Sequence, residues 1–166
     1  MRLAWLAVPC AALLLGACSD ATAPAVESGL PRGLSRGIYP LVSVVAETQT
    51  SAQVELFLKR VQTADALASY QGELTYDAAI LTLDHTDLPP GLVGTTFEST
   101  PGHVRFAAAS LEGVGDVPVL TLRFTRRGQI TPATFQVKVE EVAGRDFTDL
   151  SSQIAGAGTF FQRAVR

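Results

Sequence analysis

Cysteine is scarce in this chain, and both examples lie at one end. Cys10 and Cys18 fall within the first eighteen of 166 residues, so the remaining sequence has no pair from which to make a disulfide and must hold together by packing. The single tryptophan, Trp5, lies in the same short stretch. That removes the ring best suited to stacking on sugars from the body of the chain. The tyrosines are Tyr39, Tyr70 and Tyr76, and the last two share a strand face with Leu74; Phe57 and Phe147 do not extend them into a planar strip. Histidine is limited to His85 and His103. Neither stands in a GxSxG, HExxH or Walker pattern, so the nucleophile-and-base pairs of common hydrolases and phosphotransferases are missing. Charged residues make up 17% and the formal net charge is −3, a balance that gives nucleic acid nothing to bind. Beyond the N-terminal region no apolar stripe repeats every 3.6 residues, which excludes a helical bundle.

The N-terminal region carries the strongest local signal. Arg2 precedes an almost wholly apolar run from Leu3 to Ala17, the charged and hydrophobic regions of a secretory signal. The run is shorter than the roughly 20 apolar residues of a membrane-spanning helix, and Pro9 interrupts it. Leu15-Gly16-Ala17-Cys18 resembles the lipobox of bacterial lipoproteins. The resemblance implies cleavage before Cys18 and lipidation of that residue, with stable anchoring where two or more acyl chains are attached. Residues 1–17 are then a lipoprotein signal peptide, 18–37 the lipidated cysteine with a flexible linker, and 38–166 one folded domain. The expected location is the bacterial cell envelope, in the outer membrane if the source is Gram-negative, because Ser19 rather than Asp follows the cysteine. Cleavage removes Arg2 from the thirteen Lys and Arg residues, leaving twelve against sixteen Asp and Glu. The linker contains Pro24, Gly29, Pro31, Gly33 and Gly37; as a coil of about 20 residues it reaches roughly 25 Å.

From residue 38 onward the governing period is two. In Leu67–Leu83, Ala68, Tyr70, Gly72, Leu74 and Tyr76 alternate with Ser69, Gln71, Glu73 and Thr75; Asp77-Ala78 breaks the pattern, and Leu81 and Leu83 resume it. This is a strand, a tight bend and a second strand. Further strands are expected over Tyr39–Thr48, Gln53–Val61, Gly94–Glu98, His103–Ala109, Val117–Arg126, Ala133–Val142 and Gly158–Arg163, with Leu111–Asp116 as a loop. Pro89-Pro90 and Pro101-Gly102 punctuate them. The sum is an all-β chain of about nine strands, an antiparallel β-sandwich of jelly-roll-like topology.

Three motifs give this sandwich a family resemblance. Tyr76-Asp77-Ala78-Ala79-Ile80-Leu81 is similar to the "YD" corner of cohesin domains, although Ala78 stands where a proline is frequent. Gly102–Ser110 resembles the family's glycine-led, alanine-rich strand, and Val119–Phe124 its L-x-L-x-F strand. The resemblance implies a non-catalytic module that binds a protein partner, a dockerin or another envelope protein, in work connected with polysaccharide degradation. By the same analogy the contact face includes Ser69, Gln71, Glu73 and Thr75. Arg123, expected to point outward from its own strand in the one basic run with Arg126 and Arg127, is a further candidate contact for an acidic partner, with protection of an exposed strand edge as the equal alternative. Two alternatives stay open: a carbohydrate-binding module with a shallow polar glycan site, and a structural lipoprotein without a specific ligand.

No cofactor or metal is expected. Asp77, Asp84 and Asp87, and separately Glu140, Glu141, Asp146 and Asp149, are acidic enough to interest calcium, but neither group places ligands at the alternate positions of a calcium loop.

Overall fold

The computed structural model describes residues 30–63, 66–156 and 158–164. The signal sequence, Cys18 and most of the linker lie outside the described residues. Nine strands follow in order: β1 (Gly37–Glu47), β2 (Ser51–Val61), β3 (Leu67–Tyr76), β4 (Leu81–Asp87), β5 (Val93–Thr100), β6 (His103–Val114), β7 (Leu120–Arg126), β8 (Phe135–Gly144) and β9 (Phe160–Arg163). They form a five-stranded sheet in the order β4-β7-β2-β1-β9 and a four-stranded sheet in the order β5-β6-β3-β8. The β-sandwich expected from the alternation is therefore present.

Alternation becomes burial most directly in β3. Ala68, Tyr70, Gly72, Leu74 and Tyr76 are buried, and the four polar residues between them are only partly covered. Strands β2 and β7 answer from the other sheet with Val54, Leu56, Leu58, Leu120, Leu122 and Phe124. Each such side chain contributes about 1.5–3 kcal/mol of transfer free energy. Phe124 holds the aromatic centre: its ring lies 4.9 Å from that of Tyr76 and 6.0 Å from that of Phe135. Tyr70 satisfies its buried hydroxyl by donating to the Val119 carbonyl at 2.7 Å, a bond that joins β3 to the approach of β7. Burial pushes this phenol's pKa upward, because the interior disfavours the phenolate.

The Tyr76-Asp77 corner is tied on several sides. The Tyr76 amide donates to Gly102 O at 2.8 Å and the Asp77 amide to Thr134 O at 3.0 Å, while the Ile80 and Leu81 amides return to Asp77 O. Asp77 Oδ1 accepts the Ala79 amide at 2.9 Å, the local turn that aspartate favours. Gly102 has φ +93° and a Cβ there would stand 3.0 Å from Tyr76 O, so glycine suits both the backbone and the contact. The Tyr76 hydroxyl donates to Glu98. Burial first, and then that carboxylate, raise its pKa.

Three local expectations are corrected. The expected loop from Leu111 to Asp116 is largely strand: β6 continues to Val114, which pairs with Leu67, although Ala109 already pairs with Ser69. The residues between them bulge, with Gly113 at φ +81°. The sandwich is not wholly antiparallel, because β9 runs parallel to β1. After β8, Ile154 bridges Ile38 where β1 begins, and β9 then runs in the direction of β1. Finally, β7 begins at Leu120 rather than Val117, after Pro118, which has no amide to donate.

Candidate functional site

Two sheets give two outer faces, and their chemistry differs. On the four-stranded sheet, the register places Val93, Ala109, Ser69 and Ala143 in one row across β5, β6, β3 and β8. Thr95, Ala107, Gln71 and Glu141 form the next, and Phe97, Arg105, Glu73 and Lys138 the third. His103, Thr75 and Gln136 complete a fourth row. Small or polar side chains dominate, which leaves the face level.

The charged residues brace one another, across strands and, for Lys138 and Glu140, along β8. His103 Nδ1 lies 2.8 Å from Glu73 Oε1, Arg105 Nη2 2.7 Å from Glu140 Oε2, and Lys138 Nζ 3.4 Å from Glu140 Oε1. Gln71 Nε2 donates to Glu141 Oε2 at 2.8 Å. Exposed pairs of this kind add only about 0–1 kcal/mol each to stability. Their main effect is to hold long side chains flat over the strands as an ordered polar surface. Strand β8 makes room for this ladder with a bulge: Val139 pairs with Gly72 and Glu141 with Gln71, leaving Glu140 between them.

No protein-family model matches the sequence, and no curated protein matches it. Solved structures do. The sixth cohesin of Acetivibrio cellulolyticus scaffoldin B, solved in complex with a mutant Cel5 dockerin, superposes with a TM-score of 0.56 at 13% identity, over 76% of this chain and 99% of that one. A non-cellulosomal cohesin from the archaeon Archaeoglobus fulgidus gives a TM-score of 0.56 at 13% identity, over 78% and 92%. The cohesin module of a Clostridium perfringens family 33 glycoside hydrolase gives 0.54 at 14%, over 78% and 100%. The chain has a cohesin fold. The matched span is the sandwich itself, and the identity is low enough that the fold is what these comparisons establish.

Within this cohesin fold the sequence-derived candidates divide. Ser69, Gln71, Glu73 and Thr75 all lie on the outer face of the four-stranded sheet. Arg123 does not join them: it is in β7, on the other sheet, where it faces Asp87 of β4 at 3.5 Å. Alternation correctly placed Arg123 outward, but the two outsides are opposite sides of the molecule. Other residues of the face were not among these candidates, Arg105, Lys138 and the half-exposed Phe97 among them. The period-two pattern from His103 to Ala109 was the available signal for Arg105.

The two histidines make hydrogen bonds to carboxylates, His85 to Asp87 and His103 to Glu73, each at 2.8 Å. Neither bond engages a hydroxyl or thiol that could serve as a nucleophile. The acidic groups considered for calcium are likewise occupied locally. Asp84 accepts from Thr125, Asp146 from Thr148 and Asp149 from Ser151, and hydrogen bonding from the Thr148 and Ser151 side chains first, then their amides, holds the Asp146 and Asp149 carboxyls below their ordinary pKa. Among the described residues, no group of three or more His, Cys, Asp or Glu converges as a metal site.

Proposed function

We propose that this protein is a non-catalytic binding module of the bacterial cell envelope, tethered through lipid on Cys18, whose four-stranded sheet holds a protein partner on its outer face. The observation that carries the proposal is the level, braced arrangement of Ser69, Gln71, Glu73, Thr75, His103, Arg105 and Lys138 on one sheet of a cohesin fold. Cohesins with this fold have been solved in complex with dockerins, so a dockerin-like partner, linked to polysaccharide breakdown, is the first to try. A glycan site has less behind it, since the four rows of the face hold a single Phe, Tyr or Trp ring, Phe97.

Substituting Gln71→Arg together with Thr75→Arg adds two bulky cations without disturbing the buried side of β3. Affinity capture from envelope extract of the source organism, quantified by mass spectrometry, should retain one dominant protein on wild type. The double variant should lose it by about tenfold or more, the scale of a central interface residue. Equal recovery on both proteins would remove this face from the proposal.

The anchor has its own test. Wild type expressed in a bacterial host should gain the mass of acyl chains and sediment with membranes, whereas Cys18→Ser should do neither. Two soluble, unmodified proteins would overturn the lipid tether and leave a secreted module.

A further inference from the structure

Among the described residues, the three most exposed large apolar side chains surround one groove. Val93 is 82% exposed, Leu111 92% and Phe147 84%. Together with Ala68, Ala109 and Arg145 they line a space of about 520 Å³ at the end of the four-stranded sheet. Three separate elements deliver them: the start of β5, the bulge of β6 and the turn after β8. Isolated exposed apolar residues are ordinary, but a convergent group rimmed by charge marks an interaction site.

The backbone adds an independent sign. Phe147 has φ +63°, a left-handed conformation that is costly for a bulky residue. The turn enforces it, with the Phe147 amide donating to Gly144 O at 2.9 Å and the Gly144 amide to Thr148 O at 2.8 Å. Glycine would meet the same backbone requirement without strain. A strained aromatic ring left in water has no evident benefit to folding.

Position and charge indicate what covers the groove. It is continuous with the first row of the four-stranded face through Val93, Ala109 and Ser69, so a partner lying on that face reaches it. Arg145 and Glu112 stand on the rim, and neither forms an ion pair among the described residues.

We infer that the groove is the anchor pocket of the proposed interface, taking an apolar side chain of a protein partner flanked by an acid that meets Arg145 and a base that meets Glu112. The inference rests on reading the four-stranded face as a protein-binding surface and assigns its affinity to the loop end rather than to the charged middle.

The test is to pan a random-peptide display library on the wild-type protein, then measure the selected peptides against Phe147→Gly, Arg145→Glu and the Gln71→Arg, Thr75→Arg double variant. Selected peptides should carry an aromatic or aliphatic residue beside an acid. They should lose about tenfold or more in affinity for Phe147→Gly and for Arg145→Glu, and regain affinity for Arg145→Glu when their acid is changed to lysine. Phe147→Gly should meanwhile denature no earlier than wild type, which separates lost binding from lost folding. Peptides that survive both groove variants but fail on the double variant would overturn the anchor while sparing the face. Failure to enrich any peptide would also overturn it. So would a dimer that Phe147→Gly dissolves, because the groove would then serve a second copy of this chain.

Discussion

Phe124→Ala should lower the unfolding free energy by about 3–5 kcal/mol, the usual cost of removing a buried phenylalanine ring. Phe124 is 1% exposed, and its ring touches Tyr76 from one sheet position and Phe135 from another. Removing it leaves a void between the sheets and strips two aromatic contacts at once. No disulfide can limit the loss, because both cysteines precede the domain. Native stabilities are commonly about 5–15 kcal/mol, so the variant should show a much lower urea midpoint with little change in slope. Phe97→Ala, on the outer face, should change the midpoint by less than a quarter as much.

Gly72→Val should be nearly as damaging, for the opposite reason. A Cβ at residue 72 would lie 2.5 Å from the Lys138 carbonyl oxygen and 2.9 Å from Phe106 Cζ. The first obstacle is backbone in the neighbouring strand, which cannot rotate away as a side chain can. Relief requires β3 and β8 to separate at the bulge where Gly72 meets Val139. The expected loss is about 3 kcal/mol, the upper end for an overpacked core, again read from the urea midpoint. Ser69→Val on the same strand points outward and should stay within about 0.5 kcal/mol of wild type.

These two positions also show what could be read from the sequence. The alternation from Ala68 to Tyr76 and from Leu120 to Phe124 identified the inward residues, because a two-residue period maps directly onto a half-buried strand. The same period could not assign Arg123 to a side. It separates in from out within a strand, whereas sheet membership depends on long-range pairing. Phe147 could be read as exposed, but not its meeting with Leu111: one rides a left-handed turn, and the other a bulge created by pairing Val114 with Leu67. The parallel entry of β9 depends on where the chain crosses between sheets, which no local pattern records.

The most direct test of the binding proposal is site-specific photocrosslinking in the source organism. A photoreactive amino acid at Gln71 samples the outer face of the four-stranded sheet, and one at Thr121 samples the outer face of the five-stranded sheet. One discrete protein adduct is expected from position 71 and none of comparable yield from position 121. Adducts confined to position 121, or none from either position, would contradict the proposal.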